Sequence, residues 1–117
     1  MSYTAKVLVQ QQFVESARTK KYTSPLAAIG GKGTWIDKAT FANISGSSAT
    51  VTVYLVPAGG ATGDATKTIP PVSIAAGATL SITDLAGRYM APGDELWWLA
   101  GTASAINGCI TGRELTS

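Results

Sequence analysis

Histidine is absent from the 117 residues, and that removes the Ser-His-Asp and Cys-His arrangements, histidine metal ligands and histidine general bases together. A catalyst built from this chain would have to use carboxylates, lysine or tyrosine. Asp94-Glu95 is the only adjacent acidic pair, and paired carboxylates can exchange protons or hold a hard cation. The pair follows Pro92-Gly93, however, where Asp bonds local backbone in a turn and Glu opens a strand edge. Asp64 stands in a glycine-rich stretch without the alternating acidic neighbours of a calcium loop. Gly30-Gly31-Lys32-Gly33 resembles a phosphate-binding loop only in its centre: Leu26 stands where such a loop needs glycine, and Gly33 where it needs Ser or Thr. Cys109 is the only cysteine, so neither a disulfide framework nor a cysteine metal cluster is possible. With no base evident to activate it, it reads as a packed thiol. The expectation is a protein that is not an enzyme, with no metal and no cofactor.

The remaining signals concern surfaces. Arg18, Lys20 and Lys21 cluster beside Tyr22, but single-strand binders present several aromatics along a basic groove. Salt bridges to a protein neighbour are expected in preference to nucleic acid. Trp97-Trp98 is the most informative dipeptide, because successive strand side chains point to opposite faces. One tryptophan enters the core and the other emerges, to be covered by its own chain, by another subunit, or by a sugar lying on it. Asn43-Ile44-Ser45 satisfies the glycosylation triplet, yet the first ten residues are too polar for a signal peptide's apolar core of about 7 to 15 residues, so it is read as a strand end. Synthesis in a cytoplasm without Sec-type export is expected.

These residues must be carried by a small body. A chain of this length forms one domain, and 45% hydrophobic against 14% charged residues marks it as one that folds or associates. No apolar run approaches the roughly 20 residues of a membrane helix, and no membrane partner is expected. From Thr34 onward, period-2 alternation recurs between Gly, Pro, Ser and Asn punctuation. The clearest strand is 49–56, with Val51, Val53 and Leu55 on one side and Thr50, Thr52 and Tyr54 on the other. Strands are also expected over 34–45, 72–74, 79–82, 95–100 and 105–115, the last weakened by Gly108 and Gly112. Residues 57–64 have too little bulk to pack and are read as a projecting loop. The fold class is all-β: a single β-sandwich or jelly-roll-like domain over 34–117, preceded by an extended N-terminal arm over 1–33. Val7-Leu8-Val9 and Phe13-Val14 leave ordinary edge strands as the alternative for that segment. Net charge is +2, and six of the nine basic residues but only two of the seven acidic ones lie within 1–38. The start is basic and the body mildly acidic.

The run Thr40-Phe41-Ala42-Asn43 with Gly46, then Val51 through Gly60, Gly87 with Pro92-Gly93-Asp94, and Ile110-Thr111-Gly112-Arg113-Glu114-Leu115 resembles small all-β accessory virion proteins of tailed bacteriophages. The similarity covers roughly 34–115. It implies a structural virion protein, a capsid decoration or cement protein made in the host cytoplasm, with the major capsid protein or other virion proteins as partners. A neck, tail or fibre-base component and a carbohydrate-binding module are the other readings. Adhesion is expected through Val7, Val9 and Phe13 added to a neighbour's sheet edge, Arg18, Lys20 and Lys21 on acidic surface, and Trp97 or Trp98 against an adjacent copy. The unit is a homo-oligomer, a trimer or dimer.

Overall fold

A computed structural model describes residues 2–116, with the side chains of Ser2, Asp64 and Thr116 outside the description; the calcium role weighed for Asp64 therefore falls outside the described side chains. The chain is all-β, 59% strand, with two antiparallel sheets packed together and no α-helix among the described residues. Its strands are β1 Ser2–Phe13, β2 Thr19–Thr23, β3 Gly31–Asn43, β4 Ala49–Val56, β5 Lys67–Ile74, β6 Thr79–Ser81, β7 Tyr89–Met90, β8 Glu95–Ala100 and β9 Ile106–Thr116. One sheet has the order β1-β9-β3-β6, with β7 also paired to β3, and the other β2-β8-β4-β5.

Alternation decides the packing. Val51, Val53 and Leu55 of β4 lie opposite Ala100, Trp98 and Leu96 of β8, and this face meets Ile36, Ala39 and Phe41 of β3 and Ile106 and Ile110 of β9. Phe41 and Trp98 meet edge to face at 5.8 Å. Gly108, beside Phe41 in register, makes that meeting possible: a Cβ there would lie 2.6 Å from Phe41 Cε1 and 2.9 Å from Trp98 Cζ3. β9 is an interior strand, and its missing side chains admit neighbouring groups.

Among the described residues no separate N-terminal arm is present. β1 runs antiparallel to β9 from Ser2 opposite Thr116 to Phe13 opposite Asn107, and β2 pairs with β8. Residues 2–33 thus supply one edge of each sheet, and position 33 falls inside β3. The reason is apolar: Leu8, Val9 and Val14 are all core residues. Bulges between Val7 and Val9 and between Val9 and Gln12 break the period-2 pattern that would have advertised β1. Pro70-Pro71 fall within β5, an edge strand, at an irregularity in its pairing with β4. The 57–64 loop is tied back: Ala58 N–H donates to Asp94 Oδ1 at 3.2 Å, and Arg18 reaches Thr62 Oγ1 at 3.5 Å.

Filling the Gly108 site tests this packing. Gly108→Ala is expected to lower stability by about 1–3 kcal/mol, the ordinary range for overpacking. Gly46→Ala, where a Cβ meets nothing within 4 Å, should leave the denaturant midpoint nearly unchanged; equal midpoints for the two variants would refute the interlock.

Candidate interaction surface

The outer face of the five-stranded sheet carries a row of aromatic rings. Cross-strand register aligns Ala5, Arg113, Trp35 and Tyr89 on β1, β9, β3 and β7, and Tyr3 and Val7 share that face as neighbours of Ala5 at period 2. Tyr3 meets Trp35 at 5.7 Å with planes at 70°, and Trp35 meets Tyr89 at 4.6 Å with planes at 53°. Arg113 lies 5.5 Å from the Tyr3 ring centroid and donates to Asp37 Oδ1 at 3.1 Å. Tyr89 packs over Gly33, whose φ of +123° suits glycine alone, and donates to the Lys32 carbonyl at 3.1 Å. Tyr3, Val7 and Tyr89 nevertheless remain 56%, 46% and 47% exposed. Apolar bulk held rigidly at an open surface is the chemistry of a contact face.

The residues singled out from sequence are dispersed. Val7 lies on this outer face, whereas Val9, two residues and one bulge later, is in the core and has no surface to offer. Phe13 is exposed at the far end of β1. Trp98 is the inward tryptophan, fully buried; Trp97 is the outward one, half-buried opposite Lys20 and Tyr54, its N–H donating to Glu95 Oε1 at 2.9 Å. An adjacent copy has no access to Trp98.

The basic cluster is divided in the same way. Arg18 covers the Tyr54 ring at 5.4 Å, and Lys20 reaches Glu95 at 3.6 Å. Lys21 points inward, donating to Glu15 at 2.8 Å and to Gln12 at 2.6 Å, 5.5 Å from the Trp98 ring centroid. Asn43 is buried with its amide donating to the Ser47 and Ile74 carbonyls and accepting from Ser45. Asp94 accepts from the Ala58 and Ala91 N–H groups. Each of these polar groups is engaged in holding the fold.

Two polar networks join the sheets. Glu15 Oε1 accepts the Trp98 N–H at 2.7 Å. Burial opposes its ionisation, but the hydrogen bonds from Lys21 and Trp98 outweigh that and hold the carboxyl below its ordinary value. At the other end Tyr22 donates to Glu114, which also meets Lys6 at 3.2 Å. With that proton committed, Tyr22 accepts from Thr34 at 3.0 Å, and Thr34 accepts from Ser24 at 2.8 Å. Burial, and then the bond to Glu114, raise the Tyr22 hydroxyl well above the ordinary phenol range. Among the described residues no buried side-chain polar atom lacks a partner.

The opposed shifts set opposed limbs of stability against pH. Glu15 stabilises the fold above its unfolded value near 4.5, and the contribution is lost as pH falls through the lower folded value. Tyr22 contributes below its unfolded value near 10, and the contribution is lost as pH rises beyond it. Glu15→Gln should therefore flatten the acid limb of the melting temperature and Tyr22→Phe the alkaline limb; wild-type slopes in both variants would refute the assignment.

Scans of protein-family models, curated proteins and solved structures find no match to this chain.

Proposed function

We propose that the chain is a structural virion protein of a tailed bacteriophage, a capsid decoration or cement protein with a β-sandwich body that binds the head shell and stabilises it. The observation that carries the reading is the outer face of the five-stranded sheet, where Tyr3, Trp35 and Tyr89 are fixed against one another with Tyr3 and Tyr89 left open. The resemblance of residues 34–115 to accessory virion proteins supplies the setting. The partner is the major capsid protein or another virion protein, and the working unit is a homo-oligomer.

The ring geometry favours a protein partner over a glycan. A sugar ring stacks on a flat aromatic platform, whereas these ring planes are tilted at 70° and 53° to one another and form no flat platform. Such relief suits interdigitating side chains.

Purified protein added to heads assembled without it should bind saturably across the shell and raise the temperature at which heads release DNA. Tyr89→Ser, on the short β7, is expected to weaken binding at least tenfold with only a small change in melting temperature. Labelling confined to one vertex would move the protein to the neck or tail. No binding to heads, with a saturable glycan-dependent change in tryptophan emission, would replace the virion reading with the carbohydrate one.

A further inference from the structure

The two sheets have four lateral edges, and three are defended against pairing with another chain. β2 spans only five residues and carries Lys20 and Lys21. β5 contains Pro70-Pro71. On the far side of β3, β6 and β7 are three and two residues long. Short strands, lysine and proline are the ordinary means of keeping a sheet edge from adding strands. Of these protections β1 has only a single lysine, and its bulges begin beyond Val7. It is twelve residues long, contains neither proline nor glycine, and among the described residues pairs only with β9. Its one charged residue, Lys6, is drawn to Glu114 of the same sheet at 3.2 Å.

From these features we infer that the free edge of β1 pairs with the β1 edge of a second copy, antiparallel about a twofold axis at Ala5, so that the two five-stranded sheets become one continuous sheet.

The register follows from elementary rules. Only residues 2–7 of β1 keep an unbroken register with β9 before the first bulge, so pairing must use this stretch. A twofold axis normal to the sheet keeps each face on its own side, and residues directly opposite one another must share a face. Paired residue numbers must therefore sum to an even value. A sum of 12 sets Lys6 against Lys6 of the partner, a like-charge pair that destabilises a sheet. A sum of 8 loses Val7 from the overlap. A sum of 10 sets Ala5 against Ala5, Tyr3 against Val7, and Thr4 against Lys6, with the two large exposed apolar side chains of this stretch, Tyr3 and Val7, covering each other twice. The occupant of this edge is thus a second copy of the chain. The pairing also places the two aromatic rows on the same side of the joined sheet.

This dimer is independent of the virion reading and is tested without particles. In a Cys109→Ser background, Ala5→Cys should convert mostly to a disulfide-linked dimer under mild oxidation. Gln11→Cys, about 40 Å from its counterpart at roughly 3.3 Å per residue, should cross-link at least tenfold less. Val7→Lys changes an exposed side chain, so its melting temperature should stay near wild type while the dimer dissociation constant by light scattering rises at least tenfold. A wild-type protein that stays monomeric up to about 1 mM, equal cross-linking at positions 5 and 11, or a Val7→Lys dimer of unchanged affinity would each overturn the inference. Dimerisation without shell binding would instead leave the edge pairing standing and remove the virion role.

Discussion

The burial of Trp98 organises this molecule. Its ring occupies the gap between the sheets, edge-on to Phe41 and above the space that Gly108 leaves. An indole buried there needs an acceptor for its N–H, since an unmade buried hydrogen bond costs on the order of 1–3 kcal/mol. Glu15, itself only partly buried, supplies the acceptor, and Lys21 pairs with its carboxylate at 2.8 Å. One large side chain in β8 therefore dictates where the chain must pass between β1 and β2. The segment following β1 is recruited into the core region by a polar debt as well as by the apolar burial of Val14.

The second network solves the corresponding problem at the opposite end. Glu114 lies on the inner face of β9, where a lone carboxylate would be costly. Tyr22 reaches it from the other sheet and Lys6 from the edge strand, so three strands are joined by one carboxylate. This use of Lys6 has a consequence for the exterior. A lysine projecting freely from an edge discourages pairing by its charge, but one drawn to a carboxylate of its own sheet does so much less. Internal satisfaction and edge exposure are therefore coupled through a single side chain.

What the sequence revealed divides along the same physical line. Strand 95–100 alternates between a buried and a less buried face, and the Trp97-Trp98 parity followed from it, whereas strand 49–56 was legible from the period-2 spacing of Val51, Val53 and Leu55 although Thr52 and Tyr54 on its other face are buried as well. Which tryptophan turned inward was not legible, since that depends on the register of β8 against β4. β1 and β2 were obscured because each is an edge strand: Gln10-Gln11-Gln12 and Lys20-Lys21 give polar composition to backbone that is fully strand, and the bulges of β1 interrupt its period. The aromatic row was invisible for a different reason. Tyr3, Trp35 and Tyr89 are distant along the chain and meet only through the pairing of β1, β9, β3 and β7. Gly33, two residues before Trp35, was the local sign of a close approach, and it was weighed only as part of a phosphate-binding loop.

The stiffness of that row bears on what it can do. Each ring is in contact with the next, Arg113 is held between Tyr3 and Asp37, and Tyr89 is anchored by its hydroxyl to the Lys32 carbonyl. Immobilising a rotamer-rich side chain at an interface costs about 0.5–1.5 kcal/mol, and here much of that ordering has already occurred on folding. A preorganised apolar face gains most when its partner is repetitive, because a modest contact per copy is multiplied by simultaneous engagement of linked copies. Joining two such faces through β1 doubles the valency without any new contact to the target. Under the proposed function and edge pairing, the aromatic face and the long strand edge beside it would form one arrangement: the edge would set how many faces act together, and the face what they contact.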